Sequence, residues 1–474
     1  MTSVVRTRFA PSPTGYLHIG GVRTALYSWL FARHHHGQFL LRIEDTDRER
    51  STQPAIDAIL TGMAWVKLEP DAPAIYQTHR FARYAEVADR LLAEGKAYHC
   101  YCTREELDAM RAEALGAGRK PRYDGRCRNG VLPRAGVTPA VRFKNPTEGE
   151  VVVDDLVKGR IVFDNAELDD LIIRRSDGTP IYNFAVVVDD ADMGITHVIR
   201  GDDHVNNTPR QINLLRALGV QPPAYAHLPM IHGPDGTKLS KRHGAVNMLE
   251  YREHGFLPEA LLNYLARLGW AHGDQEIFTV QELVELFDLS AVSRSAASFD
   301  PQKLLWVNQQ HMLKATAERL VPLLREQLER RQLDCSNGPP LEQTVAALRE
   351  RSQTLAEMAE RARCYYADYD DFAPDAAKAH LTSGARPVLV DLRERFAKLE
   401  EWTEASTQTA VEATATTLAV KLGKVAQPLR VALTGQAASP GIGTTLVLVG
   451  RRRTEQRIDR AVAYIDARPQ IATT

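Results

Sequence analysis

The chain has 474 residues, of which 44% are hydrophobic and 25% charged, and its formal net charge is −1. That length exceeds what one hydrophobic core can serve and implies roughly two to four domains. No apolar run approaches the ~20 residues of a membrane span, and five cysteines do not suit a disulfide framework. Near-neutral charge gives no electrostatic hint of nucleic acid, so a basic surface would have to arise by segregating charge onto one face.

Near the N-terminus, Arg6, Arg8 and Pro11 interrupt any leader-like apolar core, which together with the low cysteine count points to a reducing, cytoplasmic setting. The first ~95 residues read as strand, helix, strand, helix, as a doubly wound sheet begins. Val4, Val5 and Phe9 form the first apolar run, and Gln38–Ile43 reads as a buried strand. Arg80–Glu94 has helical periodicity and stops at Gly95. From about Ala97 to Asp190 the apolar runs shorten, with turn chemistry at Ser176–Pro180, as an insertion between two halves of the sheet would show. Ala185–Val188 reads as a strand leading back to the sheet, and Thr196–Arg200 as another, with the ligand crevice at its carboxyl end.

After Gly244 helical patterns dominate, at Leu257–Leu268, Thr279–Phe287 and Pro301–Leu313. Beyond Lys314 the chain is helical with breaks at Pro339-Pro340, Gly384 and Ser439–Gly441. Ala405–Thr417, rich in Thr and Ala, reads as helix surface and turn.

Two segments carry chemistry. Pro11, Pro13 and Gly15 interrupt the backbone where the first strand should hand over to a helix starting near Ile19 or Gly20. The N–H groups of such a helix start, with Gly20 and Gly21 allowing close approach and His18 adding a donor, suit a triphosphate. Far downstream, Lys238-Leu239-Ser240-Lys241-Arg242 sets three cations and a hydroxyl between flanking glycines, as a loop closing on phosphates requires.

His18-Ile19-Gly20-Gly21 together with Lys238–Arg242 resembles the two nucleotide-binding motifs of class I aminoacyl-tRNA synthetases. Arg6–Gly15, Leu41–Asp47 and Val198–Asp203 resemble the glutamyl/glutaminyl branch of that family, and Lys421–Arg430 is similar to the helical C-terminal region of its bacterial glutamyl members. One departure is Gly21, where the general class I pattern has a second histidine. The resemblance implies ATP-dependent attachment of L-glutamate to tRNA(Glu) through a glutamyl-adenylate, with Mg2+ on the phosphates, in a monomer with no membrane association. It implies a Rossmann-type catalytic domain at 1–96 and 191–245, split by an acceptor-stem-binding α+β insertion at 97–190. A helical stem-contact domain at 246–314 and an all-α anticodon-binding region at 315–474 follow.

The same resemblance implies the site. Gly15, His18, Gly20, Gly21, Asp203, Lys238, Ser240, Lys241 and Arg242 would meet ATP, with His18, Lys238 and Lys241 catalytic. Glutamate carries two carboxylates and an ammonium, so its pocket wants two cationic anchors and an acidic one. Arg8 and Arg200 are those anchors, Arg8 for the side chain and Arg200 for the α-carboxylate. Glu44 meets the ammonium, and Ser12 and Tyr182 add hydrogen bonds. The plainer alternative for Arg8 and Glu44 is a mutual ion pair, and for Asp203, beside Asp202 and His204, a turn cluster.

Asp45 and Arg351 are assigned to tRNA, Arg351 being equally readable as a solvated helix arginine. Arg451–Arg453 reads as a solvated face or a nonspecific phosphate contact. Cys100, Cys102 and Cys127 match a zinc pattern of some glutamyl enzymes, but Asn129 stands where a histidine is expected. With Tyr123 or His99 as the available substitutes for a fourth donor, no zinc is expected. A glutaminyl or dual-specificity enzyme is the nearest rival. A small-molecule nucleotidyltransferase would not need the last ~150 residues.

Overall fold

The computed structural model describes residues 4–15, 17–237, 239, 247–369 and 371–467. Two compact units emerge. The first runs to Tyr251 and takes in Pro258–Leu304; the second comprises Arg252–Leu257 and the chain from Leu305 onward.

In the first unit, β1 (Arg6–Phe9), β2 (Gln38–Ile43) and β3 (Ile75–Tyr76) form a parallel ladder in the order β1-β2-β3, with Arg8 opposite Leu40. Parallel neighbours require crossovers, supplied by α1 (Ile19–His34) and α2 (Gln53–Trp65). Ile19, Leu26 and Leu30 of α1 are wholly buried, which fixes the helix start at the sheet edge. After α3 (Phe81–Ala93), Gly95 at φ +68° turns the chain out of the helix, a conformation that favours glycine.

The inserted segment holds β4 (Ala97–Cys100), α4 (Arg104–Gly116), β5 (Ala140–Phe143), β6 (Glu150–Asp155), β7 (Gly159–Asp164) and β8 (Ile172–Arg174). β4, β5 and β8 make an antiparallel sheet, while β6 and β7 form a separate hairpin. Val151 and Val153 of that hairpin do not join the insertion's own core. They pack with Val198, Ile212 and Tyr225 from the returning half of the sheet.

One expected strand is a helix. Ala185–Val188 lies within α5 (Tyr182–Asp192), and its four residues are all buried. A helix covered on every side loses its polar stripe, and a short β-branched run then mimics a strand. Next come β9 (His197–Gly201), α6 (Thr208–Ala217) and β10 (Ala224–Leu228), with β9 and β10 parallel and Arg200 opposite His227. Thr196 N donates to Arg6 O at 3.0 Å, so this second ladder stands beside β1. The unit closes with β11 (Ile231–His232), α7 (Met248–Glu253), α8 (Pro258–Arg267), α9 (Val280–Leu286), β12 (Ala297–Ser298) and α10 (Pro301–Lys314), the last straddling the unit boundary.

All described regular elements of the second unit are helical: α11 (Ala317–Arg330), α12 (Leu341–Leu348), α13 (Leu355–Tyr366), α14 (Pro374–His380), α15 (Arg386–Ala397), α16 (Glu404–Thr417), α17 (Leu422–Thr434), α18 (Ile442–Val449) and α19 (Arg451–Asp466). The Thr/Ala-rich stretch is one uninterrupted helix, α16, capped by Thr403. The Arg451–Arg453 triplet is only partly solvated. Arg451 donates to Phe396 O and Leu399 O, and Arg453 to Tyr366 O at 3.2 Å, so both satisfy carbonyls at helix ends; Arg452 alone is exposed. No helix among the described residues is long and apolar enough to cross a membrane.

Candidate active site

The carboxyl ends of β1, β9 and β10 open onto a cavity of about 1200 Å3. Arg8, Ser12, Gly15, His18, Gly20, Gly21, Glu44, Tyr182, Arg200 and Asp203 all line it, so residues spread over nearly 200 positions are brought to one chamber. This is the crevice position expected of a doubly wound sheet.

His18 is the N-cap of α1, its Nδ1 accepting from Gly21 N at 3.3 Å. A side chain at Gly21 would meet Leu17 Cδ1 at 2.9 Å, and one at Gly20 would meet the His18 ring at 3.0 Å. The turn is therefore built close, with the helix's free N–H groups behind it. Lys238, Ser240, Lys241 and Arg242 lie outside the described residues. The segments on either side are at the cavity. Gly233 N donates to Thr237 O at 2.8 Å and Leu239 N to Ile231 O at 3.1 Å. Beyond, Met248 N donates to Leu17 O at 3.0 Å, and Asn247 pairs with His18. Leu239 and Asn247 both line the chamber.

The two arginine anchors sit in different surroundings. Arg8 Nε contacts Asp190 Oδ1 at 3.2 Å. Asp190 also takes Arg42 Nη1 at 2.6 Å, and Arg42 reaches Glu44 Oε1 at 3.1 Å and Asp189 Oδ2 at 3.7 Å. Asp189 in turn accepts from Arg80 Nε at 2.7 Å. The alternative of a mutual Arg8–Glu44 ion pair is not what forms: Arg8 and Glu44 each belong to a network in which Arg8, Arg42 and Arg80 meet Glu44, Asp189 and Asp190, and Arg80 also meets Asp192. Burial would lift Asp190, but Arg42 and then Arg8 hold its carboxyl below the ordinary range. Burial pushes Glu44 upward against the pull of Arg42.

Arg200 is 5% exposed and makes no salt bridge among the described residues. Its Nε donates to His227 Nε2 at 3.1 Å, Nη1 to Gln211 Oε1 at 2.8 Å and Nη2 to Thr208 Oγ1 at 2.8 Å. All are neutral acceptors, and burial lowers the guanidinium's pKa from its usual value. Its charge is oriented but not neutralised. Tyr182, at the start of α5, reaches His204 Nδ1 at 3.1 Å, and burial raises its phenol. Asp203 is exposed at the rim, while its neighbour Asp202 pairs with Lys158 at 2.8 Å.

Asp45 follows Glu44 directly. It is buried, and its two oxygens accept from Thr78 N at 2.9 Å and Thr78 Oγ1 at 2.6 Å. A carboxylate so occupied holds the chain after β3. Arg351 is exposed on the single turn Arg349–Arg351, close enough to Arg430 that its charge, after burial, lowers the Arg430 pKa.

Cys100, Cys102 and Cys127 bring their sulfurs within 4.8 Å of one another. The fourth place is taken by Tyr123, whose hydroxyl is 3.5 Å from Cys100 Sγ and 3.8 Å from Cys102 Sγ. His99 is exposed on the opposite face of β4, and Asn129 is exposed as well. Three sulfurs and a phenol, which burial lifts far above its usual pKa, fall short of four ready zinc donors.

Sequence reasoning missed Arg42, Asp189, Asp190, Asp155 and His227. Arg42 had a signal: it stands two residues before Glu44, near the end of β2, and an extended chain puts such residues on the same face. The acids of α5 had none beyond their place at the end of an apolar run.

The family described as tRNA synthetases class I (E and Q), catalytic domain, matches residues 4–306, and an anticodon binding domain matches 315–462. A glutamate–tRNA ligase 1 of Alkalilimnicola ehrlichii is 58% identical over 463 residues, covering 98% of each chain, and that of Nitrosococcus oceani is 57% identical over 464 residues, covering 98% of this chain and 99% of the relative. A crystal structure of a glutamate tRNA ligase from Elizabethkingia meningosepticum in complex with its amino acid superposes with a TM-score of 0.87 at 30% identity, covering 97% of this chain and 99% of the other. Taken with the cavity at the sheet's carboxyl edge, these matches show that the chain belongs to the class I tRNA synthetases of the E and Q type.

Proposed function

We propose that the chain is a glutamate–tRNA ligase. ATP and L-glutamate give glutamyl-adenylate and pyrophosphate, as a glutamate α-carboxylate oxygen attacks the α-phosphorus. A ribose hydroxyl of the terminal adenosine of tRNA(Glu) then attacks the acyl carbon and releases AMP. Neither step needs a protein nucleophile; positioning and charge stabilisation suffice.

The observation that carries this reading is the charge balance of the cavity. Arg8, Arg42 and Arg80 face Glu44, Asp189 and Asp190 in one ion-pair network, whereas Arg200 and Arg23, both buried and both lining the cavity, are held by neutral acceptors. Glutamate, with two carboxylates and one ammonium, brings a net negative charge to a cavity whose buried cations are not all paired. Glutamine brings none, which disfavours it by a few kcal/mol. Glu44 takes the ammonium, Arg8 the side-chain carboxylate and Arg200 the α-carboxylate, with Ser12 and Tyr182 as hydrogen-bonding neighbours.

The helix start at His18–Gly21, with Gly15, receives the ATP phosphates, and Asp203 the ribose or the adenine. Lys241, Lys238, Ser240 and Arg242 supply further phosphate contacts. Mg2+ arrives on ATP with most of its water, as part of the substrate. The segment 97–190 serves the acceptor end and 315–474 the anticodon, where Arg351 beside Arg430 offers paired cations to RNA. The setting is cytoplasmic and the working form a monomer.

ATP–pyrophosphate exchange and aminoacylation, run with glutamate and with glutamine and with and without tRNA, test the reading. Glutamate-dependent exchange that requires tRNA is expected, and absence of any glutamate activity overturns it. Lys241→Ala should abolish activation while tRNA binding survives; persisting activation would remove the phosphate role.

A further inference from the structure

The β6–β7 hairpin ends its first strand on Asp155, which the sheet buries against His227 of β10. Asp155 Oδ2 lies 2.5 Å from His227 Nδ1, and both side chains are fully inaccessible. The hairpin turn locks this carboxylate: Asp155 Oδ1 accepts from Val157 N at 3.0 Å and Lys158 N at 2.8 Å, and His227 N lies 3.2 Å from both oxygens. Burial works against the charge, but the His227 contact and these N–H groups hold Asp155 below its ordinary pKa.

An anionic Asp155 fixes the imidazole. The proton must sit on Nδ1, facing the carboxylate, so Nε2 presents its lone pair. That lone pair is what Arg200 Nε meets at 3.1 Å, on a residue directly opposite in the parallel ladder. Burial favours the neutral ring, as acceptance from a guanidinium requires. Thr208 Oγ1, also 3.1 Å from Nε2, closes the ring of contacts by accepting from Arg200 Nη2.

We infer that Asp155 and His227 are positioning residues for amino-acid recognition: Asp155 sets the His227 tautomer so that Nε2 aims the Arg200 guanidinium at the substrate carboxylate. The inference rests on the reading that Arg200 binds glutamate. It gives the inserted hairpin a part in the amino-acid site, through an Asp–His–Arg chain that touches no substrate except at its last member.

Two isosteric losses separate aiming from packing. His227→Gln keeps an acceptor near the Nε2 position, whereas His227→Asn keeps only a donor toward Asp155. Steady-state aminoacylation of the full chain should show the KM for glutamate rising roughly 10- to 100-fold in His227→Asn and far less in His227→Gln, since a hydrogen bond to a charged group is at stake. The KM for ATP should stay put in both. Equal glutamate KM values in the two variants, or parallel losses for glutamate and ATP, would overturn the inference.

Should the His227 variants fail to fold, Asp155→Asn decides. Its amide no longer dictates the tautomer, so the glutamate KM should rise while the ATP KM holds, and an unchanged glutamate KM overturns the inference. Arg200→Gln is run beside them. If it leaves the glutamate KM unchanged, the reading of Arg200 itself fails; if it raises that KM while the Asp155 and His227 variants do not, only the positioning chain fails.

Discussion

Arg8 and Arg200 line one cavity, and both are almost fully buried, yet their charges are handled in opposite ways. Arg8 shares Asp190 with Arg42 inside a network of ion pairs. Arg200 is held by a histidine, a glutamine and a threonine, none of which neutralises it. Burial of a cation is therefore not by itself a binding signal. A buried arginine whose partners are all neutral is geometrically fixed and electrostatically incomplete, which is the condition that rewards an incoming carboxylate.

The largest effect is expected from cutting the ion-pair network around Arg8. Arg42→Ala would leave Glu44, Asp189 and Asp190 buried with too little positive charge, and should cost about 3–5 kcal/mol of stability in chemical denaturation of the first unit's transition. A loss below about 1 kcal/mol would show that the network is not what holds this region. On the other side, Arg200→Gln should barely affect stability. It should lower kcat/KM for glutamate by about 2–4 kcal/mol of transition-state binding, read by aminoacylation kinetics. The reverse pattern, large destabilisation with glutamate use intact, would exchange the roles assigned to the two arginines.

Much of this could be read before folding. The proline and glycine breaks before His18 announce the turn at the start of α1, and Arg8, Glu44 and Arg200, singled out on the family resemblance together with the charges glutamate carries, come to one cavity. What remained hidden depends on long-range burial. Asp189 and Asp190 close an apolar run that looked like a strand, because α5 is covered on all sides and shows no polar stripe. Asp155 and His227 stand 72 positions apart, and nothing local marks either as part of a pair. Asp45 carries the family's motif neighbours, yet its carboxylate is spent on Thr78, which only the fold reveals. Arg451 and Arg453 look like a basic cluster until the carbonyls they serve are in place.

The smallest effect is in pH. Burial holds His227 and His197 below the ordinary imidazole value of 6.5, so the unfolded chain binds their protons first. Their contribution to stability is complete above that value and falls away as the pH drops below it. Asp155 and Asp190 have carboxyls held below 3.8, so their contributions persist through this window and are lost only in stronger acid. The Tm should therefore decline between neutral and mildly acidic pH, and His227→Gln should flatten part of that decline. An identical slope in the variant would mean that His227 is not among the groups responsible.

The central claim, that Arg200 supplies an unmatched charge for one particular carboxylate, is tested most directly by calorimetric titration. Glutamate and its α-amide, isoglutamine, would be titrated into the unaltered protein and into Arg200→Gln, under the conditions of tRNA and nucleotide that support binding. The account predicts that the α-amide binds the unaltered protein roughly 30-fold or more weaker than glutamate, and that the gap nearly vanishes in Arg200→Gln, the two losses being one interaction counted twice. Arg8→Gln should leave that gap in place and instead close the gap between glutamate and glutamine. If the losses from Arg200→Gln and from the α-amide simply add, Arg200 does not meet the α-carboxylate and the account is contradicted.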